Sequence, residues 1–359
     1  VLDFLFALNR IMNEKEFQYW DKASSLKEDF RSKTRLGVSG EENQISLLDL
    51  NAILNNFLSK LNIAIENAFD KDKGLYCTYF INEVTEYTNL NPLYIKPIKF
   101  KQIRLPFFLE SQVHALRLAK DLDEAKNLYK AVKKSVLYDK ELKMYRVTAS
   151  LEKLPQEIGR CRVFSPGWLE NESIWLHMEY KYLLGLLQKG LYDEFYKEFK
   201  NVLIPFQKPE RYGRSILENS SFLVSSVFQD KKLHGNGFVA RLSGSTAEFL
   251  TIWLMINLGR NPFFLNEKAE LNLCFEPVLK GWLFDKKGTY SFNFLSKIYV
   301  TYHNPKRKDT FGSSGVRPYR IEFKDTQGNM IELNSNIIPS PYAPQIRNRL
   351  IKTIEVYFT

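Results

Sequence analysis

The chain has 359 residues, 44% of them hydrophobic and 14% aromatic, and a formal net charge of +10; this apolar content suffices for one large globular domain or two ordinary ones. The basic residues are interspersed with acidic ones and form no arginine-rich arm, which argues against a nucleic-acid partner. The lack of a long apolar run, of a secretory signal and of clustered cysteines predicts a cytoplasmic protein with no membrane segment, no disulfide framework and no metal site.

Helical patterns dominate the first three-quarters of the chain. Residues 1–12 resemble the interior of an apolar helix, so we expect the chain to be a fragment of a longer protein. Apolar residues at helical spacing predict a helix over 51–69, whereas 89–100, with two prolines, is predicted to be irregular. Further helices are predicted over 107–119, 123–137, 172–190 (ending at Gly190) and 191–203. This recurrence predicts a mainly α fold, with an α/α barrel or toroid over residues 1–270.

The pattern changes near residue 271. From there the chain consists of short segments rich in β-branched and aromatic residues, which are typical of strands. TQGN at 326–329 is a hairpin turn signal between two of these segments. We therefore predict a small β-sandwich-like domain over residues 271–359.

HGNGFVARLSGSTAEF at 234–249 combines three glycines with a run of small and hydroxyl residues before an apolar segment. STAE within it fits a capping box, in which Ser245 caps a helix and Glu248 bonds back to the Ser245 N–H. Small residues and free N–H groups at the positive end of a helix also favour an anion such as phosphate or sulfate. His234 and Arg241 could add donors to that anion, although a lone histidine is more often structural.

Two other segments combine residue types that suit a saccharide. Aromatic, carboxylate and amide side chains stand close together between 168 and 177, and a basic, acidic and amide group recurs between 213 and 221; both mixtures fit sugar hydroxyls, and both also fit ordinary polar loops. The residues concerned are Trp168, Glu170, Asn171, Glu172 and His177 in the first segment and Arg214, Glu218 and Asn219 in the second.

The adjacent carboxylates Glu41 and Glu42 lie in the glycine-broken loop RLGVSGEEN before a predicted helix. One interpretation is charge complementarity with the positive end of that helix, which is very common. The functional interpretation is a general acid, a carboxyl group that protonates a departing leaving group.

Taken in order, these segments resemble the inverting disaccharide and oligosaccharide phosphorylases, that is the cellobiose, chitobiose and laminaribiose phosphorylases and the related β-1,3-oligoglucan phosphorylases. VFSPGWLENESIWLHMEYKYLLGLLQKGLYDEFYKEF is similar to their loop and helix with a phosphate-site histidine, and RYGRSILENSSFLVSS to their Arg/Glu sugar subsite. GNGFVARLSGSTAEFLTIW is similar to their glycine-rich phosphate loop. The resemblance implies an (α/α)6 barrel followed by a β domain, and a homodimer.

The resemblance implies reversible phosphorolysis of a β-linked glucosidic di- or oligosaccharide, with inorganic phosphate as co-substrate and no further cofactor. The implied phosphate loop is Ser243 and Gly244 with Ser245 or Thr246. The family's phosphate-site histidine falls on Asn171 by one alignment and on His177 by another, and Glu218 matches the subsite glutamate, with Arg214 near the basic residue before it.

The general acid implied by the resemblance is less well defined. Glu41 takes the acid's place in the alignment with Glu42 beside it, but the family's surrounding aromatic and acidic residues are absent. Three alternatives follow: one of these glutamates is the acid, the acid lies outside this chain, or catalysis has been lost. The rival functions are an inverting glycoside hydrolase on the same scaffold, which needs a base to activate water, and a non-catalytic saccharide-binding module.

Overall fold

The computed structural model describes residues 2–14, 16–42, 44–239 and 243–359. The N-terminal region contains three helices and two antiparallel hairpins: α1 (Leu2–Arg10), α2 (Glu16–Thr34), α3 (Leu47–Ala68), β1 (Phe69–Asp70) with β2 (Leu75–Tyr76), and β3 (Phe80–Asn91) with β4 (Tyr94–Arg104). The long second hairpin is attached to the helices through Phe100, whose ring lies 5.8 Å from those of Phe17 and Trp20 on α2. Aromatic contacts of this kind fix the direction in which the hairpin leaves the helices.

The middle of the chain alternates helices with very short strands. Its elements are α4 (Leu109–Leu118), α5 (Leu122–Lys134), β5 (Tyr138–Asp139), β6 (Met144–Tyr145), β7 (Ile174–Trp175), α6 (Leu176–Gln188), α7 (Tyr192–Val202), α8 (Pro209–Tyr212), β8 (Phe222–Leu223), β9 (Gly237–Phe238) and α9 (Ser243–Leu258). β5 pairs with β6, and β7, β8 and β9 form an antiparallel three-stranded sheet. Gly190, with a φ of +78°, follows the end of α6 as predicted.

α4, α6 and α9 run in the same direction. Backbone hydrogen bonds through Val147 join the starts of α4 and α6, and the Lys189 ammonium group beyond the end of α6 donates to the carbonyl of Ala119 at the end of α4, at 2.6 Å. The rings of Tyr180 on α6 and Phe249 on α9 lie 6.2 Å apart, each within the first two turns of its helix. The positive ends of the three helix dipoles therefore lie at one end of the group.

The C-terminal region contains two sheets, which include most of the segments predicted to be strands. Its elements are β10 (Phe263–Leu265), β11 (Leu271–Cys274), β12 (Thr289–Phe294), β13 (Ile298–His303), β14 (Pro318–Lys324), β15 (Met330–Leu333), β16 (Ile337–Ile338), α10 (Tyr342–Arg347) and β17 (Thr353–Phe358). The strand orders are β10-β11-β16 and β12-β13-β17-β14-β15, with β13 and β17 parallel and the other pairs antiparallel. The predicted turn at 326–329 joins β14 to β15. β10 lies before residue 271 and pairs with β11 beyond it.

The prediction of a mainly α fold with an (α/α)6-barrel portion is wrong. The protein is about 39% helix and 23% strand, and its strands form several small sheets. The main reason is that segments predicted to be irregular pair as strands, either in a local hairpin such as β3–β4 or with a distant segment, as β7 pairs with β8. Pro97 illustrates this, because it lies within β4 opposite Tyr87, at a register irregularity of an edge strand where a missing N–H is tolerated. No helix among the described residues is long and apolar enough to cross a membrane.

The close approach of α4 and α6 depends on Gly185. A Cβ atom at this position would lie 3.0 Å from Cδ2 of Leu116 on α4. We expect Gly185→Val to lower the free energy of unfolding by about 1–3 kcal/mol through overpacking. The cost should fall by at least about 0.5 kcal/mol in a Leu116→Ala background, where the added side chain has room. Urea denaturation of the four proteins measures this coupling, and additive effects would contradict the close contact.

Candidate anion-binding site

The starts of α6 and α9 meet at His177 and Gly244, two of the residues predicted to bind phosphate. Each is the second residue of its helix. A Cβ atom on Gly244 would lie 2.6 Å from Nδ1 and 2.7 Å from Cε1 of His177, so the imidazole ring packs directly on the glycine backbone. Only glycine permits this approach. The structure thus brings together two candidates that are far apart in the sequence.

The three-stranded sheet β7-β8-β9 holds these helix starts in place. β7 runs directly into α6, and the N–H of Leu176 donates to the carbonyl of Ser221 beside β8, at 3.1 Å. The N–H of Ser221 in turn donates to the carbonyl of Phe238 on β9, at 3.0 Å. Because β9 precedes α9 and β7 precedes α6, pairing both strands with β8 places the two helix starts side by side.

This arrangement concentrates hydrogen-bond donors and positive charge. The first N–H groups of a helix have no carbonyl partner within it, and they carry the positive end of its dipole. Lys181 lies one turn after His177 on α6; it is half-buried and forms no ion pair with a carboxylate among the described residues. Two helix starts, an imidazole and an ammonium group are together suited to holding an oxyanion.

Glu248 adds a negative charge to the same cluster. It lies one turn after Gly244 on α9, and its Oε1 is 3.7 Å from Nε2 of His177, a separation too long for a hydrogen bond. The side chains of His177 and Glu248 are 32% and 17% exposed. The cluster therefore opens to solvent while its carboxylate is largely enclosed.

The surroundings of His177 favour the neutral form of its imidazole. Burial lowers its pKa below the ordinary 6.5, the positive charge of Lys181 lowers it further, and the opposing effect of Glu248 is smaller. A neutral imidazole has one N–H donor and one acceptor nitrogen. An anion bound beside the ring would favour its charged form, so anion binding and proton uptake by His177 are coupled.

The hydroxyl residues around Gly244 occupy the first turn of α9. The helix begins at Ser243, so the capping-box prediction is wrong. Ser245 lies inside the helix and cannot be its cap. Glu248 lies beyond the third helical residue, the position whose side chain bonds back to the cap in a capping box. Ser245 is buried and Thr246 is exposed. Arg241 lies outside the described residues.

Asn171 and His234 are engaged elsewhere. The buried amide of Asn171 accepts from the N–H of Leu151 at 3.2 Å and donates to the carbonyl of Phe164 at 2.8 Å. Both ring nitrogens of His234 have partners, the Glu141 carboxylate at 3.1 Å and the Phe228 carbonyl at 2.9 Å. These side chains bridge loops, whereas His177 lies where the starts of α6 and α9 meet.

The saccharide candidates between 168 and 172 contribute largely to packing. The ring of Trp168 lies 4.7 Å from that of Phe238 and belongs to an aromatic cluster beneath the three-stranded sheet. Glu170 pairs with the Arg160 guanidinium at 2.9 Å. Glu172 has a φ of +57° and lies 3.5 Å from the guanidinium of Arg146; burial raises the pKa of its carboxyl group, against the effect of that arginine.

The second saccharide segment is connected to the anion cluster through Asn219. Its Oδ1 accepts from the Tyr180 hydroxyl at 3.0 Å, and Tyr180 lies on α6 one turn after His177. Arg214 and Glu218 form an exposed ion pair at 3.2 Å on the same loop. Asn219 therefore ties the loop to α6 and leaves the neighbouring charged pair open to solvent.

Glu41 and Glu42 lie in an exposed loop between α2 and α3. The backbone N–H of Glu41 donates to Oγ of Ser39 at 3.2 Å, and neither carboxylate forms an ion pair or hydrogen bond among the described residues. A general acid is normally desolvated by its surroundings. The loop provides no such enclosure.

The sequence interpretation missed Lys181 and misassigned Glu248. The sequence spacing of these residues indicates which side chains lie together, because residues four apart share a helix face. Lys181 stands in this relation to His177, and Glu248 to Gly244. Knowing that the two faces meet requires the tertiary structure.

Comparison of the chain with protein-family models and with curated proteins finds no match. The resemblance to the phosphorylases therefore rests on the quoted segments. The packing of His177 on Gly244 is independent of that resemblance, because it is a contact between the two helices.

The contact between His177 and Gly244 can be tested by coupled substitutions. Because an added Cβ atom collides with the imidazole, we expect Gly244→Ala to be more costly in the wild-type chain than in a His177→Ala background, by at least about 1 kcal/mol of unfolding free energy. Chemical denaturation measures both costs. Equal costs in the two backgrounds would show that the ring does not rest on the glycine.

The titration of His177 is a second test. We expect its pKa below 6.5 by NMR, a higher value in Lys181→Met and a still lower one in Glu248→Gln. The chain has four histidines, so His177→Gln assigns the signal. Because the folded pKa is lowered, the associated stability is present above pH 6.5 and is lost as pH falls through the folded value. A pKa above 6.5 would contradict the proposed surroundings of the ring.

Proposed function

We propose that this protein acts in the reversible, inverting phosphorolysis of a β-glucosidic di- or oligosaccharide, with release of a sugar 1-phosphate. The observation that carries the proposal is the packing of His177 on Gly244 where α6 and α9 begin. A histidine from another helix adds a donor to the N–H groups at this helix start, which favours an oxyanion there.

The chemistry of the cluster suits phosphate as the attacking group. Phosphate is already a nucleophile, so phosphorolysis needs a site that holds and orients the anion and needs no base. The imidazole of His177, the ammonium group of Lys181 and backbone N–H groups at the helix starts, other than that of Leu176, supply donors for this purpose. Glu248 and the imidazole of His177 are also groups that can accept a proton from water, so the dependence of cleavage on phosphate is what separates phosphorolysis from hydrolysis.

The neighbouring loop supports a sugar subsite. Arg214 and Glu218 present a guanidinium and a carboxylate to solvent, and Asn219 connects their loop to α6 through Tyr180. Paired charged groups of this kind can donate to and accept from sugar hydroxyls. We assign substrate binding to Arg214 and Glu218. The departing glycosidic oxygen needs a proton, which we assign to a carboxyl group other than Glu41 and Glu42, because both of these are exposed.

We further propose a cytoplasmic location and a homodimer. The three cysteines are all unpaired, which is typical of a reducing compartment. Apolar side chains project from the tip of the β3–β4 hairpin, where Leu90, Leu93 and Tyr94 are 64%, 85% and 64% exposed. Exposed apolar groups that lie close together are typical of protein interfaces.

The proposal is tested by incubating the protein with β-linked gluco-oligosaccharides with and without inorganic phosphate, and following sugar 1-phosphate by ³¹P NMR. We expect product only with phosphate, and a loss of at least about 100-fold in rate for His177→Ala, since a donor to the anion is removed. His303→Ala is the matched control, because His303 lies on β13 and pairs with Glu355 at 2.7 Å.

Two outcomes would overturn the proposal. Equal cleavage without phosphate would indicate an inverting hydrolase. Saccharide binding without turnover, unchanged in His177→Ala, would indicate a binding module.

A further inference from the structure

A carboxylate is an unexpected component of a site for an anion. Glu248 lies on the face of α9 that carries Gly244, its side chain is 17% exposed, and its Oε1 is 3.7 Å from Nε2 of His177. An anion held by the imidazole and the first turn of α9 would therefore lie close to this carboxylate. On the basis of the proposed function, we infer that Glu248 makes the site select oxyanions that carry a proton. The site then binds phosphate and rejects sulfate.

The physical basis is the difference in hydrogen-bonding capacity between the two anions. An ionised carboxylate only accepts hydrogen bonds. Inorganic phosphate at neutral pH keeps at least one P–OH group, which can donate to Glu248, whereas sulfate has only acceptor oxygens and would be repelled. The helix N–H groups, His177 and Lys181 attract both anions, so the discrimination falls to the carboxylate. A ligand that leaves a buried polar group of the site unpaired is rejected much more strongly than a ligand that merely fits poorly.

A helix-capping role does not account for the position of Glu248. α9 begins at Ser243, so Glu248 cannot complete a capping box. Its distance from His177 is too long for a hydrogen bond that would orient the ring. The positive charge of Lys181, which also acts on His177, offsets the carboxylate and keeps the cluster attractive to anions.

The experiment is isothermal titration calorimetry of the whole chain with phosphate, arsenate and sulfate at pH 7 and constant ionic strength. Arsenate resembles phosphate in carrying a proton at this pH, so it separates proton donation from size and charge. We expect phosphate and arsenate to bind at least about tenfold more tightly than sulfate. In Glu248→Gln, whose amide can donate to sulfate, we expect the preference to fall below about threefold. Glu267→Gln, in an exposed turn before β11, is the control and should keep the wild-type preference.

The possible results separate this inference from the proposed function. Sulfate binding to the wild-type protein as tightly as phosphate, or an unchanged preference in Glu248→Gln, would overturn the role of Glu248 and leave phosphorolysis standing. Binding of none of the three anions would overturn both. If Glu248→Gln does not fold, as judged by circular dichroism, the comparison of the three anions on the wild-type protein decides the inference by itself.

Discussion

The burial of α6 is the constraint on which the rest of the central region depends. Nearly every residue from Leu176 to Leu187 faces other protein atoms, because leucines and tyrosines lie on all sides of the helix. Such a helix must be covered on every side, and α4, α7 and α9 cover it. Gly185 allows α4 to approach closely, and Gly244 does the same for the start of α9. The positive ends of three parallel helices consequently meet at one end, which is where His177 lies.

Burying α6 also encloses polar groups, and their hydrogen bonds secure its neighbours. Glu179 is fully buried and accepts from the N–H of Tyr145 on β6 with both carboxyl oxygens, at 3.0 and 3.1 Å. Burial raises the pKa of this carboxyl well above its usual range. Glu198 on α7 is held by the Tyr129 hydroxyl at 2.6 Å and by the Lys133 ammonium group, both on α5. These contacts fix the supporting elements around α6, since an unpaired buried carboxyl would be costly.

Residue type alone separates binding residues from structural ones poorly in this protein. Asn171, His234 and Glu172 have side chains suited to ligands, but each is bonded to another part of the fold. His177 and Lys181 differ in that neither side chain forms a hydrogen bond to another loop among the described residues, and the His177 ring faces the start of α9. Binding residues and structural residues differ in whether their side chains already form hydrogen bonds within the protein. That depends on loops that meet only after folding.

Elements whose signals are local could be predicted from the amino-acid sequence. The helix ended by Gly190, the helices near 51–69 and 107–119, and the C-terminal strands follow from apolar spacing, turn residues and β-branched content. Features that depend on partners distant in the sequence became defined only on folding. β7, β8 and β9 are each two residues long and exist through their pairing with one another. Pro97 lies in a local hairpin and is tolerated in β4 because the strand lies at an edge. The same reason applies to the site, since the meeting of His177 with Gly244 is set by the packing of α6 on α9, which no local pattern encodes.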